Sequence, residues 1–169
     1  MVFPITGLAT MLALADFTDP LIISGSNALQ GHIMISVIAY SLITLGAVQA
    51  CVLAYQDYAI RSHNPGGMIR FLPPLHDMET LLFQFLSFGF IVLSASLISG
   101  FVFLEDIFAQ HLVHKTVLSI VAWIALVILL IGRFQFGWRG KIAIRWSLSA
   151  FALLMLAYFG SKLVLELIL

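Results

Sequence analysis

The chain has 169 residues, of which 62% are hydrophobic and only 9% are charged. Because soluble domains carry about a quarter charged residues, this composition predicts an integral membrane protein whose main surroundings are the lipid bilayer. The formal net charge is zero, which argues against nucleic acid as a partner. The single cysteine, Cys51, lies in an apolar run, so an internal disulfide and a two-cysteine thiol site are excluded.

The first apolar segment, residues 1–15, is uncharged but contains Pro4 and Gly7. Fifteen helical residues extend about 22 Å, which is short of the ~30 Å hydrocarbon core of a bilayer. The segment also lacks the positive start and the clear cleavage pattern of a signal peptide. We therefore predict a short or truncated first helix, followed by a polar loop over residues 16–30.

Four longer apolar segments follow and predict transmembrane helices near residues 31–56, 78–104, 115–133 and 144–165. The segments between them, residues 57–77, 105–115 and 133–145, are polar and predict loops. The predicted fold is an all-α integral membrane protein: a bundle of four full transmembrane helices plus a short N-terminal partial helix. We expect residues 1–169 to form a single membrane domain.

Lysine and arginine are unevenly distributed between the predicted loops. The loops at 57–77 and 133–145 contain six of the eight cations, namely Arg61, Arg70, Arg133, Arg139, Lys141 and Arg145. Of the eight cations, the loops at 16–30 and 105–115 contain only Lys115. Because basic loops remain on the cytoplasmic side, we predict that the loops at 57–77 and 133–145 face the cytoplasm. The loops at 16–30 and 105–115 and the C-terminus are then predicted to lie outside.

Polar side chains form a stripe on two of the predicted helices. The stripe of the first full span consists of His32, Ser36, Tyr40 and Thr44. The stripe of the third consists of His111, Lys115, Ser119 and Trp123, with His114 beside them. Spacing by four residues places each set on one helix face. Ionisable groups at membrane depth usually face an interior cavity. Histidine can be a metal ligand, a proton carrier or an interface residue, and the residues alone leave these alternatives open.

Other polar residues of the spans have a simpler interpretation. Ser94, Ser96 and Ser99 are typical of a helix–helix seam, where hydroxyls bond to backbone carbonyls. In the last span Tyr158 and Lys162 are four residues apart, and Tyr158 is interpreted as an interfacial anchor. His63 and His76 lie among prolines and are interpreted as solvated.

The chain resembles a known family in several segments. HKTVLSIVAW, GWRGKIAI and LAYFGSKLVLELIL look like the C-terminal half of the CcsA/HemX-like cytochrome c assembly membrane proteins, and most of all like their bacterial inner-membrane branch, called YpjD. GHIMISVIAYSLITLGAVQACVLAYQ resembles the family's earlier histidine-bearing helix, and METLLFQFLSFGFIVLSASLISG resembles the helix between them. The resemblance covers residues 30–169.

The resemblance implies haem as a cofactor at the outer face of the bacterial inner membrane, with histidine as axial ligand. It also implies other cytochrome c biogenesis proteins as partners. His32 corresponds to the histidine that opens the earlier helix, and Lys115 and Trp123 correspond to the family's Lys and Trp. Phe108 to His114 contains no Trp, whereas full synthesis proteins carry a Trp-rich loop there, so we predict no catalytic residue.

We therefore expect a haem-binding or haem-delivering accessory protein of cytochrome c biogenesis. His32 and His114 would hold the iron, with His111 as the substitute, and Lys115 or Lys162 would pair with a propionate. The aromatic residues expected around the haem are Trp123 and Tyr40. One alternative is a non-catalytic membrane scaffold subunit that binds a partner protein. Another is a transporter subunit with a proton-linked histidine, which the lack of a midplane carboxylate disfavours.

Overall fold

The structure is a computed structural model that describes residues 27–62, 72–103 and 113–168. Within these ranges every regular element is a helix: α1 spans Asn27–Arg61, α2 Leu75–Phe103, α3 Val113–Phe136 and α4 Lys141–Ile168. All four helices are long and apolar enough to cross a membrane. The predicted all-α fold with four full spans is confirmed. The predicted partial helix over residues 1–15 lies outside the described residues.

The helices are longer than the spans predicted from hydropathy. The predicted loop over 16–30 is wrong for residues 27–30, which form the first turn of α1, and α1 also continues to Arg61. Arg61 donates from its Nε to the Asp57 carboxylate at 3.0 Å, which stabilises this polar last turn of the helix. Hydropathy alone ends a span at the first charged residue, although helix geometry can continue through a charged pair.

The connection between α3 and α4 is shorter than the predicted loop over 133–145. Only residues 137–140 separate the two helices, and Gly137 and Gly140 adopt φ angles of 64° and 54°. Side chains with a Cβ rarely adopt this left-handed region, so the two glycines let the chain reverse direction within four residues. The Trp138 N–H donates to the Gly132 carbonyl at 3.1 Å and satisfies one of the last carbonyls of α3.

The four helices form an antiparallel bundle in which α1 packs mainly on α2 and α3 mainly on α4. The largest fully buried apolar side chains are Ile43, Leu53, Leu82, Leu86, Leu126, Leu129 and Leu154. Two glycines bring α1 and α2 close together. A Cβ built on Gly46 would lie 2.9 Å from Leu86 Cδ2, and one on Gly89 would lie 2.8 Å from Ile43 Cγ1. Such close approach lets short polar side chains bond directly between the helices.

Candidate functional site at the histidine end of the bundle

Polar side chains gather at the two ends of the bundle. We call the end at which α1 and α3 begin and α2 and α4 end the histidine end. It contains His32, Ser99, Lys115 and Tyr158. The turn end, at the opposite membrane face, contains Glu79, Arg133, Trp138 and Gly140. The described residues that the sequence singles out for haem lie at or near the histidine end.

A hydrogen-bond chain orients the imidazole of His32. Its Nδ1 lies 2.8 Å from Ser99 Oγ, and the Ser99 hydroxyl donates to the Ser96 carbonyl at 2.8 Å. Because a hydroxyl has a single proton, Ser99 must accept the bond from His32, so Nδ1 carries the ring proton of the neutral imidazole. Nε2 then has its lone pair available, and no described residue hydrogen-bonds to it.

Ser36 fixes the backbone of the same turn of α1. Its hydroxyl donates to the His32 carbonyl at 2.7 Å, so its oxygen accepts the proton of the buried Ser96 hydroxyl, also at 2.7 Å. Two side-chain hydrogen bonds therefore join α1 to α2 around His32. Ser96 and Ser99 form a helix–helix seam, as the sequence indicates, and this seam also positions the histidine ring.

A cation and two aromatic rings form a second cluster at the histidine end. Lys115 Nζ is 5.5 Å from the centroid of the Tyr158 ring, which is a cation–π distance. The Tyr158 ring in turn meets the Tyr40 ring edge-on, with centroids 6.3 Å apart. Tyr158 is half-buried and contacts side chains of α1 and α3 as part of this cluster, and these contacts were not predicted when the sequence was interpreted.

Trp123 lies two turns beyond Lys115 on α3 and faces α2. Its Nε1 donates to Ser94 Oγ at 2.8 Å, and its ring stacks on Phe90 with centroids 5.4 Å apart. The polar group and one face of the indole are thus engaged between α2 and α3. These contacts are with Phe90 and Ser94, and the structure does not bring Trp123 into contact with His32.

Three further residues expected to bind haem are only partly covered by the structure. His114 lies in the first turn of α3 directly before Lys115, and Lys162 lies in α4 one turn beyond Tyr158. Both backbones are therefore at the histidine end, but their side chains lie outside the described residues, as does all of His111. Among the described residues no three His, Cys, Asp or Glu side chains group as metal ligands. Haem iron needs only one or two protein ligands.

At the turn end, Glu79 and Arg133 form contacts within the chain. The Glu79 carboxylate is buried, and its Oε1 accepts the Gly140 N–H at 2.7 Å. The Arg133 guanidinium lies 4.6 Å from the centroid of the Phe83 ring and donates to the Trp138 carbonyl at 3.3 Å. Glu79 thus links the start of α2 to the start of α4. Sequence reasoning missed this link, and the only signal for it was a lone acid within an otherwise apolar span.

Four antiparallel helices of membrane length, with a histidine held by a serine seam at one end, define a multi-pass helical membrane protein. Residues 6–169 match the family described as Cytochrome C assembly protein, and the chain belongs to this family. The resemblance found from the sequence segments is confirmed.

Two relatives are longer than the segment that this chain matches. It is 33% identical over 160 residues to the Escherichia coli "Inner membrane protein YpjD", which covers 93% of this chain and 60% of the relative. It is 36% identical over 140 residues to the Azospirillum brasilense "Uncharacterized 28.8 kDa protein in nifR3-like 5'region", covering 82% of this chain and 52% of the relative. The chain thus spans between half and two thirds of the length of these relatives. No solved structure matches it.

Proposed function

We propose that this chain is a haem-handling accessory protein of cytochrome c assembly in the bacterial inner membrane, and that His32 ligates haem iron at the outer face. The observation that carries the proposal is the hydrogen bond from His32 Nδ1–H to Ser99, which leaves the Nε2 lone pair available. Histidines that bind metals usually donate their other ring N–H to a fixed acceptor, because this sets the tautomer and the ring orientation.

The surroundings of His32 suit the remaining parts of a haem. Lys115 is a cation that forms no salt bridge with any described residue, so it can pair with a propionate. The rings of Tyr40 and Tyr158 offer an apolar and aromatic wall beside it. Bound haem would supply the iron and its redox chemistry, whereas the chain binds and orients it.

The second axial ligand in this proposal is His114, with His111 as the substitute three residues earlier. Lys162 is a second candidate partner for a propionate, since it follows Tyr158 by one helical turn. We assign Trp123 to the contact between α2 and α3, because Phe90 and Ser94 already engage its ring and its N–H. Other cytochrome c biogenesis proteins are the expected recipients or donors of haem.

The first test is a haem titration of the purified full chain followed by its Soret absorbance. His32→Ala should lose the saturable Soret change. His76→Ala is the matched control, because His76 is an exposed histidine at the turn end. Free imidazole should restore the spectrum of His32→Gly by occupying the vacated ligand position. A His32→Ala titration that superimposes on that of the unmodified chain would remove His32 from the site.

The second test separates ligation from non-specific binding of haem to an apolar protein. Ser99→Ala removes the acceptor that orients the imidazole and should weaken haem binding about 10–100-fold, as loss of an outer-shell partner does at other metal sites. Ser41→Ala is its control, because the Ser41 hydroxyl bonds only to the Val37 carbonyl of its own helix. Equal haem affinities in these two variants contradict the orienting role of Ser99.

The third test concerns the second ligand. Replacing one histidine of a two-histidine haem site leaves the iron with one protein ligand, so His114→Ala should shift the Soret maximum and weaken binding without abolishing it. His111→Ala should leave the spectrum unchanged while His114 is present. If the unmodified chain shows no saturable Soret change at all, the scaffold alternative is the better explanation.

A further inference from the structure

A groove of about 230 Å³ opens between α1 and α4 at the turn end. The residues that line it are Ala54, Asp57, Tyr58 and Arg61 of α1 and Lys141, Ile144 and Arg145 of α4. The α1 residues are spaced by three and four positions, as are the α4 residues, so each set occupies a single helix face. The groove is therefore the meeting place of two helix faces and includes none of the residues assigned to haem.

The groove carries an excess of positive charge. Three of its side chains are cations, and Asp57 is its one acid. Asp57 forms a salt bridge with Arg61 at 3.0 Å, which orders the guanidinium at the rim. Lys141 and Arg145 are exposed, and neither forms a salt bridge with any described residue. The lining thus has a formal charge of +2, which favours an anionic ligand.

Polarity changes along the depth of the groove. Arg61 and Lys141 lie at the helix ends, nearest the membrane surface. Ala54 lies two turns deeper on α1, and Ile144 one turn deeper on α4. Tyr58, with 71% of its surface exposed, stands between these levels, where aromatic side chains of membrane proteins concentrate. A cationic rim above an apolar floor suits an amphiphile better than a small soluble anion.

We propose that this groove binds the headgroup of an anionic phospholipid. The phosphate is held by Lys141 and Arg145, with Arg61 beside them, through charge-assisted hydrogen bonds. The start of an acyl chain lies along Ala54 and Ile144. The salt bridge with Asp57 keeps the Arg61 guanidinium at the rim. Binding at this groove does not depend on haem.

The experiment uses the full chain in nanodiscs and measures quenching of tryptophan fluorescence by brominated phospholipids. Trp146 follows Arg145 directly and stacks on Trp138, with centroids 6.0 Å apart, so lipid in the groove is close to both reporters. Brominated phosphatidylglycerol should be preferred over brominated phosphatidylcholine, by about fivefold for each contributing cation. The preference should fall as salt is raised, because the groove is open to solvent.

The variant that tests the site is the double substitution Lys141→Gln with Arg145→Gln, which should abolish the preference for phosphatidylglycerol. Arg139→Gln is the matched control: Arg139 is an exposed cation at the same face, but it does not line the groove. The exchange Lys141→Arg with Arg145→Lys keeps both charges and should retain the preference, which shows that loss in the glutamine variant is due to charge.

Two results overturn the proposal. One is an unchanged preference in the double glutamine variant, which would mean that the cations attract anionic lipid only as part of a general surface potential. The other is full displacement of phosphatidylglycerol by millimolar inorganic phosphate or diphosphate, which would assign the groove to a soluble anion. A double glutamine variant that fails to insert is replaced by Arg145→Gln alone, which should lower the preference by about fivefold.

Discussion

Glu79 at the turn end and His32 at the histidine end differ in their hydrogen bonding within the chain. At the turn end the Glu79 carboxylate, the Gly140 N–H and the Arg133 guanidinium all have partners within the chain. At the histidine end the ring N–H of His32 has a partner, whereas Nε2 forms no bond with a described residue. The Glu79 cluster therefore bonds within the chain, whereas one ring nitrogen of His32 forms no hydrogen bond with a described residue.

The difference follows from how each end is connected. At the turn end four residues join α3 to α4, and Phe136, Trp138 and Trp146 stack in series with centroids 6.4 and 6.0 Å apart. Packing this tight brings donors and acceptors together. At the histidine end, α1 and α2 are bridged by the hydrogen bonds His32–Ser99 and Ser36–Ser96, and short hydroxyls bond to neighbouring helices without filling the space beside them.

The largest expected effect concerns which end faces the cytoplasm. Because most cations lie at the turn end, reporter fusions at Gly66 and Gly137 should read cytoplasmic, and a fusion at Leu169 should read external. The outcome of a paired alkaline phosphatase and fluorescent protein assay is all or none at each position. An external signal at Gly137 would invert the orientation and would place the histidine end inside.

The tight packing of the turn end is tested by adding volume at a glycine. A Cβ on Gly132 would overlap the Trp138 indole, so Gly132→Val should destabilise the fold by about 3 kcal/mol, the upper range for overpacking. Gly31 has no atom within 4 Å of its Cβ position, and Gly31→Val near the histidine end should be close to neutral. Thermal unfolding in detergent measures both. Equal melting temperatures would contradict the contrast between the ends.

Loss of the hydrogen bond between Glu79 and Gly140 should have a somewhat smaller effect on the stability of the fold. Glu79→Ala leaves the Gly140 N–H without its acceptor and should lower stability by about 2 kcal/mol, the usual loss for a bond to a charged group. Glu79→Gln keeps an acceptor oxygen and should lose less. Thr80→Ala, at an exposed neighbour, is the control for helix propensity. If haem binding falls while stability is unchanged, Glu79 acts on the histidine end and the two ends are coupled.

The smallest expected effect on stability is that of a substitution at Trp123, which tests whether this residue belongs to the proposed haem site. Trp123→Phe removes the hydrogen bond to Ser94 but keeps an aromatic ring against Phe90, so stability should fall by about 1 kcal/mol. Haem affinity should remain that of the unmodified chain, because Trp123 contacts α2 and not His32. A loss of haem affinity at unchanged melting temperature would instead place Trp123 in the site, as the family resemblance suggests.

The amino-acid sequence alone determined the class of the protein, the number of full spans and the position of the turn between α3 and α4. These features are local: a long apolar run is sufficient for a span, and glycine readily adopts the positive φ that a tight turn requires. His32 and Lys115 were also singled out from the sequence as candidate site residues, because an ionisable residue at the start of an apolar run is conspicuous. The predicted positions of the helix ends were less accurate, since α1 continues through the charged pair of Asp57 and Arg61.

Only the tertiary structure decided which residues meet. Ser99 is 67 residues from His32, and Gly140 is 61 residues from Glu79. Such pairings depend on the rotation and separation of packed helices. For His32 and Ser99, the relevant separation is that of α1 and α2, which approach closely at Gly46 and Gly89. Helical spacing shows which residues share a face but not which helix that face meets. For this reason the tautomer of His32, the position of Tyr158 and the groove between α1 and α4 emerge only when the helices are assembled.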